Sequence, residues 1–247
     1  VGVSSIGVLT GKPVEFGGSL GRNEATGYGV AVTVREAAKK MGMDMTHAKI
    51  AVQGFGNVGA YTVKNIQKLG GTVVAVAEWA KEVGPYAIYK EDGLDFQAMW
   101  DYRAEKGNLV DFPGSKMISM DEFWSAQVDV VVPAALENSI DAAVAEKIQA
   151  KLVCEAANGP TTPEGDEVLN RKGIILTPDI LTNAGGVTVS YFEWVQNLYG
   201  YYWSEAEVEA KEDEAMVKAF EALWAIKEEY GVTMRESAYM HSVKRVA

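Results

Sequence analysis

With 247 residues, 48% of them apolar and 23% charged, the chain has the make-up of an ordinary soluble globule large enough to bury a sizeable core. Its net charge of −11 excludes a phosphate-backbone partner such as nucleic acid, and no apolar run is long enough to cross a bilayer. One cysteine and two well-separated histidines, His47 and His241, rule out an intramolecular disulfide and a Cys/His metal cluster.

Val1 is not an initiator residue, so a processed or trimmed chain is expected, and nothing at its start has the shape of a targeting peptide. The default compartment is the cytoplasm. The first 20 residues, rich in Gly, Val and Ser, read as a connector. Asn23 is the predicted cap of a helix over Glu24–Met41, with Val30, Val34 and Ala38 at helical spacing and Gly42 as its stop.

Lys49 to Glu78 is the stretch around which the rest is organised. An apolar run, Lys49–Gln53, enters Gly54-Phe55-Gly56-Asn57-Val58-Gly59; a helical stretch leaves it; and a second apolar run from Thr72 ends at Glu78, about 20 residues on. Such a G-x-G-x-x-G is weak evidence alone and strong in this context. Gly54 permits the tight turn, Gly56 the approach of backbone to a pyrophosphate, and Gly59 the close contact of helix and strand. The helix N-terminus then supplies unpaired N–H groups and the positive end of its dipole. A carboxylate at Glu78 suits the two ribose hydroxyls of an adenosine and repels a 2′-phosphate, so NAD is expected over NADP, with Lys81 as the one nearby cation that could soften the choice. A purely structural β-turn-α unit with a solvated Glu78 is the alternative.

Further strands are predicted at 86–89, 117–119, 128–132, 152–156 and 174–176. Helices are predicted between them at 95–106, after Asp121 as cap, at 141–150, and from Pro163 with Thr162 as cap. The alternation implies an α/β fold, a doubly wound Rossmann-like parallel sheet. Cys154 falls in one of the apolar runs, as a buried small hydrophobe. From Asn183 the chain is helical: a helix to about Leu198, one capped by Ser204 over Glu205–Tyr230 with a solvated acidic face, and one from Met234 to the end. Residues 1–203 are therefore read as the dinucleotide-binding domain with its connector, and 204–247 as a C-terminal helical extension.

Ligands of such sheets bind at the carboxyl ends of the strands. The polar, Gly-rich stretches fall there: the 54–59 loop, the turn Pro133 to Asn138, Asn158, and Asn183 to Gly186. Asn158 and Asn183 carry amides that both donate and accept, fitting a ribose hydroxyl, a carboxamide or an amine; each alone would equally suit an Asx turn or a cap. No Lys or Asp stands in a motif that nominates it as proton acceptor, so no catalytic residue is assigned in this chain.

The segment Gly17-Gly18-Ser19-Leu20-Gly21-Arg22-Asn23-Glu24-Ala25-Thr26-Gly27-Tyr28-Gly29 resembles the one that enters the cofactor domain of hexameric bacterial glutamate dehydrogenases. So do Glu155 to Thr162 and Pro178 to Ser190. The resemblance covers essentially the whole chain; leucine and phenylalanine dehydrogenases share the fold but not these blocks. It implies that Arg22 and Thr26 contact the nicotinamide end of NAD, and that Gly54, Phe55, Gly56, Asn57 and Val58 hold the diphosphate with Gly59 behind them. It further implies that Glu78 takes the adenosine ribose, Ala134 and Ala135 line the groove, Asn158 reaches the nicotinamide ribose and Asn183 lies beside the nicotinamide. Val187 and Ser190 would reach the substrate pocket, Ser190 as hydroxyl donor to the side-chain carboxylate of glutamate; core packing for Val187 and helix surface for Ser190 are the alternatives.

In that family the catalytic lysine belongs to a preceding domain around a Gly-Gly-x-Lys motif, which this sequence lacks. The resemblance thus implies the second domain of a homohexameric NAD-dependent enzyme that interconverts glutamate and 2-oxoglutarate, inactive without its N-terminal domain. The rival readings are a stand-alone dinucleotide-binding or sensor module, with Tyr199 to Trp203 as a partner surface, and the cofactor domain of another amino-acid dehydrogenase.

Overall fold

A computed structural model of the chain describes residues 5–247, so Val1 and the start of the connector lie outside the described residues. Two 3-10 turns, Ile6–Val8 and Val14–Phe16, precede helix α1 (Ala25–Lys40). Then follow β1 (Lys49–Gln53), α2 (Asn57–Lys68), β2 (Thr72–Ala80), β3 (Gly84–Tyr89), α3 (Phe96–Lys106), β4 (Lys116–Ile118) and α4 (Met120–Trp124). The second half runs β5 (Val130–Pro133), α5 (Ala142–Lys147), β6 (Leu152–Cys154), α6 (Pro163–Arg171) and β7 (Ile175–Thr177), then α7 (Asp179–Thr182), α8 (Gly185–Tyr199), α9 (Glu205–Tyr230) and α10 (Met234–Val246). Among the described residues no helix is long and apolar enough to cross a membrane.

Among the described residues seven strands form one sheet in the order β4-β3-β2-β1-β5-β6-β7. Strands β2, β1, β5, β6 and β7 are parallel, as expected. Strands β3 and β4 are not: β3 runs antiparallel to β2, and β4 antiparallel to β3, so the sheet is mixed at that edge. The cause is the connection. Only residues 81–83 join β2 to β3, enough for a hairpin and far too few for the crossover a parallel pair needs. The order reverses between β1 and β5, which opens the crevice at their carboxyl ends.

Strand β1 shows why two layers of helix are needed. Ile50 and Val52 are buried in the cluster that holds Val34 of α1, Ile66 of α2 and Phe220 of α9, while Ala51 turns to the other face with Val131, Val153 and Leu169. Each fully buried aliphatic side chain contributes about 1.5–3 kcal/mol. Cys154 lies within this core, where burial pushes its thiol up to about 12.

Local capping differs from expectation at two helices. Glu24, not Asn23, stands at the start of α1 and makes no side-chain cap; the Asn23 carbonyl instead accepts from Asn57 Nδ2 at 3.0 Å. At α4 the cap is Ser119, in a reciprocal box with Glu122, and Asp121 sits in the first turn, where a carboxylate also favours the dipole. Thr162 and Ser204 cap α6 and α9 as predicted.

Most acids of α9, Glu205, Glu207, Glu214, Glu221, Glu228 and Glu229 among them, are exposed to solvent as expected, but Glu212 is not. Val208, Glu212, Met216 and Phe220 follow at four-residue spacing on the stripe buried against the rest of the molecule, and Glu212 is only 2% exposed. Its neighbour Asp213 is engaged as well, accepting from Arg35 Nη1 at 2.7 Å and from the Tyr28 hydroxyl at 3.0 Å.

Candidate functional site

The glycine loop has the geometry its spacing demands. Gly54 sits at φ 100°, a conformation closed to most side chains, and an added Cβ would lie 3.0 Å from the Ala134 carbonyl oxygen. At Gly59 an added Cβ would fall 2.0 Å from the Gly54 oxygen, so only glycine lets α2 start this close to β1. Gly56 is different: nothing lies within 4 Å of the place its Cβ would take. That open space, beside the N-terminus of α2, is what backbone contact with a diphosphate requires. The Phe55 side chain is fully buried, leaving its N–H as the group it offers.

That N–H donates to Glu78 Oε1 at 3.3 Å, tying the acid at the end of β2 to the glycine loop. A second partner comes from α3, which the sequence did not nominate. Arg103 Nε lies 3.3 Å from Glu78 Oε2, and Nη2 lies 3.4 Å from Oε1. These bonds are long, so both oxygens retain accepting capacity. Lys81 stands beyond β2 in the exposed hairpin turn. The cation beside Glu78 is thus Arg103, 25 residues away in sequence and recognisable by no spacing rule.

A cleft of about 870 Å³ opens where the strand order reverses. Its walls bring together Arg22, Thr26, Val58, Ala134, Ala135, Asn158, Asn183, Val187 and Ser190. Gly54, Phe55, Gly56, Asn57, Gly59 and Glu78 are not among its lining residues; they form the loop that leads into α2 and the adjoining end of β2. The cleft also includes Glu137, within the turn Pro133 to Asn138 that the sequence marked without singling that residue out, and Thr10 from the connector, which had no sequence signal. Among the described residues no lysine lines it.

Helix crossings at glycine place the cleft side chains. An added Cβ at Gly185 would stand 2.4 Å from the Ala25 carbonyl oxygen and 2.3 Å from Glu212 Oε1, and one at Gly186 would stand 2.3 Å from Thr26 Oγ1. Helix α8 therefore lies directly on the start of α1, and Arg22 Nε reaches Ser190 Oγ at 2.8 Å. The Ser190 hydroxyl donates to Gly186 O at 2.9 Å, one turn back. A donor role toward a ligand would require that proton to leave its own helix. Val187 is 69% exposed, on the cleft wall and not in the core.

The asparagines meet: Asn183 Nδ2 donates to Asn158 Oδ1 at 2.7 Å. The loop that carries Asn158 is held from both sides. Ala156 and Ala157 donate to the Pro133 carbonyl at 3.0 and 2.9 Å, and the Gly159 carbonyl accepts from Asn138 N at 2.8 Å. Behind α8, burial pushes the Glu212 carboxyl up to about 8; Glu209 and Asp213 add to the rise and Arg22 opposes it.

The sequence model described as Glutamate/Leucine/Phenylalanine/Valine dehydrogenase matches residues 17–247. The NAD-specific glutamate dehydrogenase of Clostridioides difficile is 75% identical over 246 residues, which are 100% of this chain and 58% of that protein. That of Peptoniphilus asaccharolyticus is 60% identical, over 98% of this chain and 57% of its own length. Among solved structures, glutamate dehydrogenase from Peptoniphilus asaccharolyticus superposes with a TM-score of 0.86 at 56% identity, covering 97% of this chain and 55% of that one. The hetero-hexameric glutamate dehydrogenase from Thermus thermophilus, in its Leu-bound form, gives 0.89 at 33% identity, over 97% and 56%. The chain thus spans a little over half the length of these relatives.

Proposed function

The chain belongs to the glutamate/leucine/phenylalanine/valine dehydrogenase family, and from that premise we propose that it is the NAD-binding part of a glutamate dehydrogenase. The complete enzyme would interconvert L-glutamate with 2-oxoglutarate and ammonia. A cytosolic hexamer, with an N-terminal catalytic domain and with residues 204–247 as a hinge-type extension of the cofactor domain, belongs to the same reading. The observation that carries it is Glu78, held by the Phe55 N–H at the mouth of the glycine loop. A carboxylate there accepts hydrogen bonds from a ribose diol and repels a 2′-phosphate.

The residues fit a dinucleotide: open space at Gly56, a helix start with free N–H groups, and a cleft of suitable size beyond it. NAD, when bound, supplies the hydride acceptor. The chain's own groups bind and orient. The start of α2 takes the diphosphate, Glu78 the adenosine ribose, and Asn158, Asn183, Arg22 and Thr26 the nicotinamide end, while Val187 and Ser190 form the wall toward substrate. A reaction that exchanges an amine for a carbonyl also needs a proton acceptor, typically a lysine, and the cleft has none among the described residues. This chain alone is therefore expected to bind cofactor without turnover.

Titration with NADH and NADPH, followed through Trp79, which neighbours Glu78 and is 64% exposed, tests the reading. NADH is expected to bind about tenfold or more tightly than NADPH, one desolvated like-charge clash being worth that much. Equal affinities would refute the role of Glu78, and NADH formed from NAD and glutamate would refute the absence of a catalytic base.

A further inference from the structure

Glu155, just past β6, is fully buried and ionisable, and cofactor binding as described makes no use of it. Its carboxylate is matched by Arg235, the second residue of α10, whose Nη2 donates to Glu155 Oε1 at 2.8 Å. The same guanidinium donates through Nε to Asp166 Oδ2 of α6 at 2.7 Å, and its Nη1 lies 4.0 Å from Asp179 Oδ1 at the start of α7. One cation thus lies against three carboxylates, one on the loop after β6, one on α6 and one at the start of α7.

The network continues toward the cleft. Glu155 Oε2 accepts from the Asp179 backbone N–H at 2.9 Å, and Asp179 Oδ2 accepts from the Gly159 N–H at 2.8 Å. Gly159 follows Asn158 directly, and the Asn183 N–H donates to the Asp179 carbonyl at 3.0 Å. Both asparagines of the 2.7 Å amide pair are therefore carried on backbone that Asp179 holds, and Asp179 is held by Glu155, and Glu155 by Arg235. The bonds are short and partly buried, conditions under which removing one partner is felt by the others.

We propose that Arg235 is a positioning residue for the nicotinamide end of the site: through Glu155 and Asp179 it sets the Asn158–Asn183 pair, and so couples cofactor engagement to the placement of helix α10. The inference rests on the dinucleotide reading of the cleft. It differs from it in requiring that the C-terminal helix, which supplies no lining residue, govern one half of the cofactor and not the other.

The test uses ADP and NADH as paired probes in calorimetric titrations of this chain. ADP engages the glycine loop and Glu78 only; NADH also engages the asparagines. Arg235→Met is expected to leave ADP affinity within about twofold and to weaken NADH about tenfold, the loss of roughly one well-held hydrogen bond. Asn158→Ala should weaken NADH by itself but add nothing in the Arg235→Met background, because the two changes remove the same contact. Should Arg235→Met not fold, with Glu155 left buried and unpaired, Glu155→Gln/Arg235→Met removes both charges and carries the same expectation. Equal weakening of ADP and NADH, unchanged NADH affinity, or full additivity with Asn158→Ala would overturn the proposal while leaving the cofactor site standing. If the unsubstituted chain binds neither probe, the dinucleotide reading fails and this inference with it.

Discussion

Replacing Glu212 by Gln isolates the cost of a buried carboxyl. Glu212 sits on the inner stripe of α9, its Oε1 buried without a hydrogen-bond partner, against Gly185 at the start of α8. Burial raises it from 4.5 to about 8; Glu209 and Asp213 on the same helix reinforce this, while Arg22 and the Gly29 backbone of α1 oppose it. An unfolded chain gives up this proton above about 4.5, whereas the folded chain keeps it to about 8. Between those values the folded form binds more protons, so its stability falls as pH rises and levels off above about 8. At about 1.4 kcal/mol per pH unit the total is bounded near 5 kcal/mol, of which roughly 4 falls between pH 5 and pH 9. Gln keeps the shape and removes the titration. Urea unfolding of both proteins at pH 5 and pH 9, followed by tryptophan fluorescence, reads the difference between them, in which all other titrating groups cancel. The Gln variant should gain several kcal/mol relative to the parent on going to pH 9. A parent-to-variant difference that is the same at both pH values would refute the reasoning, since Glu212 would then be ionised in the fold throughout.

Glu78→Gln should weaken NADH and strengthen NADPH, because it frees Arg103 to meet a 2′-phosphate; adding Arg103→Met should cancel the NADPH gain, as paired titrations would show. Gly59→Ala forces a Cβ to within 2.0 Å of the Gly54 oxygen and should cost about 1–3 kcal/mol or more in urea unfolding together with loss of dinucleotide binding. Ser204→Ala removes the capping box of α9, whose Glu207 N–H donates to Ser204 Oγ at 3.3 Å, and should lower stability by about 1 kcal/mol with NADH affinity unchanged.

The glycine loop, the acid near the end of the second strand, the alternation of strand and helix outside the β2–β3 hairpin, and the caps at Thr162 and Ser204 were all legible in the sequence. Each is a local signal, written within a few residues or in a period of two or 3.6, because backbone conformation and amphipathic burial are decided at that range. Even the inward place of Glu212 could have been read from Val208, Met216 and Phe220 at four-residue steps around it. The remainder lies between residues far apart in the chain: Arg22 beside Ser190, 168 positions apart; Arg103 against Glu78; Arg235 inserted among Glu155, Asp166 and Asp179. Which charges pair depends on how helices cross, and those crossings are set by volume, by the glycines that let α8 approach α1, and by a hairpin too short for a parallel return. A linear pattern records the types of residue that need burial or a partner, whereas the identity of the partner is a property of the packed layers.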